Sequence, residues 1–328
     1  MKNSESDDLL PHEFYLELWK QSLLAIGRTS PNPPVASIIT DKNSILSSGA
    51  TEPPGKRHAE IVALDELDKI SINPDKKLNL YVTLEPCSTY GRTKPCVLRI
   101  KNYKNKIKKI FIENYDPYLN KTGVKYLLEN DFEIQKIEIF KKPHFALEPF
   151  FSVINKKKPV YYIKIATDKN GFIGINQKSI SITGKLGKII TMLFRAKVDA
   201  VIVGPGTTAI DRPSLNIRNI EWLDLFSQEL KLTQEELLKQ TKFLRNFDST
   251  VYYDEFLRGL FIFYNDILKV LENFNYQPKR IFILGRNFEN FMQFYFKQKE
   301  ITENTGQKFY LIIQKRYKEQ FPLKDIST

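Results

Sequence analysis

Between Lys56 and Cys96 the chain collects residues that could hold a metal ion and move a proton. K-R-H-A-E at 56–60 supplies His58 and, two residues on, Glu60. T-L-E-P-C at 83–87 and G-R-T-K-P-C at 91–96 supply Cys87 and Cys96. One imidazole and two thiolates make three protein ligands, the number a catalytic zinc takes when its fourth position stays open to water. Glu60 is left over as a carboxylate beside that water. Zinc lowers the pKa of bound water toward neutrality, and a neighbouring carboxylate can then carry protons.

Scattered thiols are usually buried and inert, and a lone histidine is usually surface. Here the chain has only two cysteines, both inside these motifs, and one of its three histidines is in H-A-E. A structural zinc takes four protein ligands, and no third cysteine exists to complete such a set. A site that has lost its metal or its activity is the alternative. H-x-E followed by P-C and a second cysteine is the pattern of zinc-dependent deaminases, with the Glu outside the metal shell. One feature departs from it: eight residues separate Cys87 from Cys96, where the common pattern has two.

Around these ligands the chain is long enough for two domains of ordinary size, with boundaries expected at 1–145 and 146–328. No apolar run reaches membrane-spanning length. The start, M-K-N-S-E-S-D-D, is polar and acidic, unlike a secretory signal, and two metal-committed cysteines leave no disulfide framework. A cytoplasmic location is therefore expected, with no membrane partner. A net charge of +12 admits nucleic acid or a phosphorylated substrate. The lysines, however, lie in short clusters (101–109, 141–142, 156–158), which read as solvated surface. Nucleic acid is not the expected partner.

Positioning the ligands requires alternating elements. Leu16, Trp19, Leu23 and Ile26 form a helical stripe over 13–27, and strands are expected at Val35–Ile39 and Ser44–Ser47 around the turn D-K-N. A helix opens near His58, Leu78–Leu84 is a strand whose end delivers Cys87, and Cys96 opens another helix. Strand Ile107–Ile112, helix Gly123–Glu129 and strand Phe132–Ile137 follow, which predicts a largely parallel sheet with helices on its faces. A positive helix end favours thiolate over thiol, so ligands at helix starts are chemically sensible. Beyond the lysine- and proline-rich stretch 141–158, strands are expected at Val160–Ala166, Val198–Val203, Lys279–Leu284 and Lys308–Ile313. A helix is expected at Leu186–Ala196, a glycine turn at G-P-G-T-T, and a capping box T-Q-E-E at 233–236 within a long insertion, 219–277.

P-N-P at 31–33, H-A-E, T-L-E-P-C, G-R-T-x-P-C, Asp116-Pro117, Asn120 and Gly123 together resemble the bifunctional deaminase/reductase of riboflavin biosynthesis over residues 13–140. The long cysteine spacing is that family's own. The resemblance implies an N-terminal cytidine-deaminase-like α/β/α domain. It would act with Zn2+ on 2,5-diamino-6-ribosylamino-4(3H)-pyrimidinone 5′-phosphate, a small phosphorylated pyrimidine. Glu60 would be catalytic, His58, Cys87 and Cys96 would hold the metal, and Arg92 would meet the phosphate. Asn32, Thr51, Thr89, Asp116 and Asn120 would face substrate. Thr51 and Thr89 stand where the family has histidine; threonine can hydrogen-bond but carries no charge.

The second half resembles the family's dihydrofolate-reductase-like α/β domain, which implies NADPH. Lys164, Thr183, Gly204, Gly206, Asp211 and Arg218 are in register with its early motifs. Asn170 replaces the family's Asp, and no Glu-Gly-Gly follows Gly206. That predicts an incomplete domain and a reductase half without activity. Its expected uses are a homo-oligomer interface or docking of a separate reductase. A fully bifunctional enzyme, a nucleic-acid or other pyrimidine deaminase, and a non-catalytic scaffold stay open as alternatives.

Overall fold

A run of strictly buried residues, Ala36–Thr40, forms strand β1, an interior strand of a five-stranded sheet. The computed structural model describes residues 10–73, 75–140, 144–175, 178–218, 253–273, 277–286 and 288–321. The expected capping box at 233–236 lies outside them. The described residues divide into two units, one drawn from Met1–Tyr161 and Gln228–Ile267, the other from Tyr162–Ser227 and Leu268–Thr328.

In the first unit β2 (Ile45–Ala50) and β3 (Leu78–Val82) both pair with β1 in the antiparallel sense. β4 (Ile107–Ile112) and β5 (Glu133–Lys136) continue from β3 in parallel. The sheet is thus mixed, not largely parallel as the alternation of elements predicts. For β1–β2 the reason is local. Asp41 Oδ1 accepts the Asn43 and Ser44 amides at 2.8 and 2.7 Å, closing a turn too short for anything but a hairpin, and hairpins pair antiparallel.

Helices α1 (His12–Ala25), α2 (Ala59–Leu67), α3 (Cys96–Lys101) and α4 (Thr122–Glu129) flank this sheet. Helix α1 buries Phe14, Tyr15, Leu18, Trp19 and Leu23. Against its Trp19 lies α8 (Tyr253–Ile262), where a Cβ on Gly259 would stand 2.7 Å from the indole Nε1. Helix α2 sits so close to β2 that a Cβ on Gly49 would fall 2.3 Å from the Ala59 carbonyl. Only glycine admits that approach, and it fixes where the first turn of α2 begins.

At the end of β4, Glu113 and His144 are both fully enclosed, with Oε2 3.2 Å from Nε2. Nδ1 of His144 accepts the Ala146 and Leu147 amides at 3.1 and 3.2 Å. Nδ1 is therefore unprotonated, and Nε2 faces the carboxylate as a close polar contact. Oε1 of Glu113 accepts the Phe140 amide at 2.8 Å, which ties Phe140 to the end of β4.

The second unit carries a three-stranded parallel sheet, β6 (Ala200–Val203), β7 (Lys279–Leu284) and β8 (Phe309–Ile313). Its helices include α6 (Lys185–Arg195), α7 (Pro205–Asp211) and α10 (Phe291–Thr305). Phe282, Leu284, Phe291 and Phe294 form its core with Leu215. Arg280, fully buried, donates to Gln298 Oε1 at 2.7 Å, Thr302 Oγ1 at 2.7 Å and the Gln307 carbonyl at 3.1 Å, stitching β7 to α10. Two expectations fail here. Val160–Ala166 forms no strand, and its Tyr161, Ile163 and Ile165 are exposed. G-P-G-T-T is no free turn: Gly204 caps α7, with Pro205 at the first helical position, where its missing N–H costs nothing.

Candidate metal centre

Three pieces of backbone converge on one end of the first sheet. His58 caps α2 in an extended conformation, and Glu60 falls in that helix's first turn. Strand β3 runs out into Thr83–Cys87. Cys96 opens α3 behind Pro95, and the Val97 amide donates to the Cys87 carbonyl at 3.2 Å, locking the two cysteine segments together.

The ligand atoms of His58, Cys87 and Cys96 all lie within 4.8 Å of one another. His58 Nδ1 is 3.5 Å from Cys87 Sγ and 3.3 Å from Cys96 Sγ. A tetrahedral zinc with ordinary Zn–S and Zn–N bonds needs a nitrogen–sulfur edge of about 3.6 Å. Both nitrogen–sulfur edges therefore already stand within a few tenths of an ångström of the required spacing, and the donor chemistry suits zinc. The Cys96 amide also donates to Cys87 Sγ at 3.3 Å.

The electrostatics agree with a cation site. Cys87 is pulled down to about 4 by hydrogen bonds from the Cys96 thiol and amide and by His58, against the opposing effect of burial. Cys96, its proton held toward Cys87 and itself buried, is pushed up. One thiolate forms readily and the second needs a metal to displace its proton. The imidazole is raised by its Cys87 partner. Glu60, only 3 % exposed, is lifted by burial to about 7.

The remaining residues singled out for substrate are placed less uniformly. Thr51 is buried and both its amide and its hydroxyl reach the Val35 carbonyl, at 3.0 and 3.4 Å, so it holds the P-N-P-P segment. Asn32 lies half-buried in the turn closed by its amide on Thr29 O at 2.7 Å. Asp116 is half-buried and raised by burial, with the Cys87 thiolate adding to the shift. Thr89, Arg92 and Asn120 are exposed, Asn120 in the left-handed region at φ 45°. A cavity of about 340 Å³ adjoins Asp116, lined by Tyr115, Pro117, Glu148, Phe151, Asn155 and Lys156, and includes none of the metal-site residues. In the second unit, Lys164, Gly204, Gly206, Asp211 and Arg218 are exposed and Thr183 is half-buried. Among the described residues no hydrogen bond or ion pair joins any two of these six, and Arg218 donates to Asn216 Oδ1 at 3.2 Å.

Two residues inside the motifs take roles that the sequence reading did not assign. Glu85, 3 % exposed, accepts the Val124 amide at 3.1 Å and the Asp116 amide at 3.3 Å, anchoring α4 and the Asp116 loop beside Cys87. Thr93 Oγ1 stands 3.4 Å from His58 Nε2. The available signals were a carboxylate at the end of an apolar strand and the surplus length between the cysteines.

Residues 11–113 match the zinc-binding region of cytidine and deoxycytidylate deaminases, so the first unit carries a zinc-binding deaminase-type domain. Over a longer stretch the chain is similar to riboflavin biosynthesis protein RibD. It is 31% identical to that of Aquifex aeolicus over 195 residues, 58% of this chain and 53% of the relative. It is 33% identical to that of Buchnera aphidicola over 215 residues, 65% and 56% of the two chains. The chain thus spans about half the length of the curated relatives it matches. Acinetobacter baumannii RibD superposes with a TM-score of 0.57 at 21% identity, covering 92% of this chain and 78% of that one. The Thermotoga maritima diaminohydroxyphosphoribosylaminopyrimidine deaminase/5-amino-6-(5-phosphoribosylamino)uracil reductase gives 0.58 at 21%, covering 92% and 81%. These two likenesses establish the fold, an α/β architecture in both halves. No helix among the described residues is long and apolar enough to cross a membrane.

Proposed function

We propose that the chain is a zinc-dependent hydrolase of riboflavin biosynthesis, which removes the ring amine of 2,5-diamino-6-ribosylamino-4(3H)-pyrimidinone 5′-phosphate as ammonia. The observation that carries the proposal is the convergence of His58 Nδ1, Cys87 Sγ and Cys96 Sγ at zinc spacing, with the buried Glu60 beside them. Zinc held there supplies Lewis acidity that lowers the pKa of the attacking water. Glu60, lifted to about 7 by burial, is matched to pass that water's first proton to the ring nitrogen, and then to carry the second, from the added hydroxyl, to the departing amine. Water adds across the ring C=N bond, the exocyclic C–N bond breaks, and ammonia leaves, so no redox partner is needed. Arg92, exposed on the loop between the cysteines, suits the phosphate dianion. Asp116 and Asn32 offer polar atoms to the substrate's edge. Thr51 acts indirectly, through the P-N-P-P turn that presents Asn32.

The second reading adds NADPH-dependent reduction by the other half. The reach of the similarity favours it, since alignments of 195 and 215 residues extend beyond the zinc-binding region. One assay tests both: ammonia release and NADPH oxidation followed in the same tube with the diaminopyrimidine phosphate. Ammonia alone supports the deaminase reading, with the second reaction left to another chain. Both signals support the bifunctional reading. Neither signal from zinc-loaded protein rejects the proposed substrate.

A further inference from the structure

We infer that Thr93 is a positioning residue for the metal: its hydroxyl accepts the Nε2 proton of His58 and so fixes which imidazole nitrogen faces zinc. The inference rests on the zinc reading above and deepens it. The imidazole has one nitrogen toward each neighbour. Nδ1 faces both sulfurs, at 3.5 and 3.3 Å, and Nε2 faces Thr93 Oγ1 at 3.4 Å. A neutral histidine that gives its Nδ1 lone pair to a metal carries its proton on Nε2. That proton needs an acceptor in a half-buried setting, and Thr93 is the side chain placed to provide it. Ligating histidines generally donate their second nitrogen in this way, which orients the ring and raises its basicity.

The same contact gives a physical role to the long spacing of the cysteines. Thr93 lies three residues before Cys96, and its carbonyl accepts the Gly91 amide at 3.3 Å, which turns the loop back on itself. A two-residue spacing would have no room for this turn. The 88–95 loop therefore brings an outer partner for one ligand along with the segment that delivers another. Because Thr93 and Cys96 share that segment, the histidine and the cysteine are oriented by one backbone unit.

The test compares wild type, Thr93→Val, which keeps the shape and removes the hydroxyl, and Thr93→Ser, which restores it. Zinc affinity is read by competition with a chromophoric chelator, and the ligand field by the visible spectrum of the Co2+-substituted protein. The expected result is zinc binding weakened about tenfold or more in Thr93→Val, a shifted Co2+ spectrum, and return of both toward wild type in Thr93→Ser. Thermal stability of the zinc-free proteins should be the same in all three, since the role is toward the metal. Equal affinity and spectrum in Thr93→Val would overturn the inference. So would a Thr93→Ser protein as impaired as the valine variant, or a loss matched by the zinc-free stability. A wild type that takes up no stoichiometric zinc would overturn the metal reading itself, and this inference with it.

Discussion

Gly123→Ala is a sharp test of how the metal site is built, because two opposite effects compete at one atom. Gly123 is in the first turn of α4 with ordinary negative φ, so alanine meets no backbone strain and by helix propensity would gain at most about 1 kcal/mol. A Cβ there, however, would stand 2.1 Å from the Pro86 carbonyl and 3.1 Å from Glu85 Oε1. Ordinary contact begins at 3.4 Å, so either α4 or the strand end must retreat by 3.4 − 2.1 = 1.3 Å. Overpacking of this kind costs about 1–3 kcal/mol. The retreat also stretches the 3.1 Å bond from the Val124 amide to the buried Glu85 carboxylate, a bond to a charged group worth about 1.5–3 kcal/mol. The clash wins, and the net destabilisation is expected at about 2–5 kcal/mol after the helix gain is subtracted. The chain offers a reporter: its only cysteines are the two ligands, and Cys96 is fully buried. In zinc-free protein, the rate at which a thiol reagent labels Cys96 measures opening of this unit. A loss of 2 kcal/mol raises the open population roughly 30-fold. Labelling should therefore accelerate by at least about that factor, and zinc affinity should fall because Pro86 adjoins Cys87. An alanine variant that labels no faster than wild type would refute the packing argument.

Three further outcomes are expected. Glu60→Gln should fold and bind zinc stoichiometrically while ammonia release falls by about 10²–10⁴, the range for a lost general acid–base group; near-normal turnover would remove Glu60 from proton transfer. Cys87→Ser should lose the metal and lower the melting temperature of the zinc-loaded protein toward that of the zinc-free one; retained stoichiometric zinc, read by elemental analysis, would break the ligand assignment. Asp41 accepts from Lys76, Asn43 and Ser44 and is held well below the ordinary 3.8, with the Lys76 hydrogen bond the largest cause. Because its folded pKa lies below the unfolded one, its stabilisation is present above about pH 4 and is lost as pH falls through the folded value. Asp41→Asn should therefore be less stable than wild type at pH 7, by a few tenths to about 1 kcal/mol for so exposed a pair. The gap should close toward pH 2, and a gap independent of pH would show that the charge is irrelevant to the turn.

What the sequence disclosed, and what it withheld, divides along the range of the interactions. His58, Glu60, Cys87 and Cys96 were legible because their chemistry is rare: two cysteines in a chain of 328 residues cannot both fall in such motifs without drawing attention. The helices opening at His58 and Cys96 and the strand at Ile107–Ile112 followed from local periodicity, and the structure places them there. Sheet sense was not legible, since it depends on which strand lies beside which. The Asp41 turn, a local feature, settles β1–β2, but the antiparallel β1–β3 pairing is a tertiary choice. Val160–Ala166 has the apolar residues of a strand yet forms none, because composition offers a strand and only a neighbouring strand accepts it. The outer layer of the site was hidden for the same reason. Glu85 reaches amides 31 and 39 residues away, and Thr93 reaches a histidine 35 residues back. Residue type marks a metal ligand, because few side chains can bind the ion. Carboxylates and hydroxyls are common, so the residues that aim those ligands are told apart only by where the fold puts them.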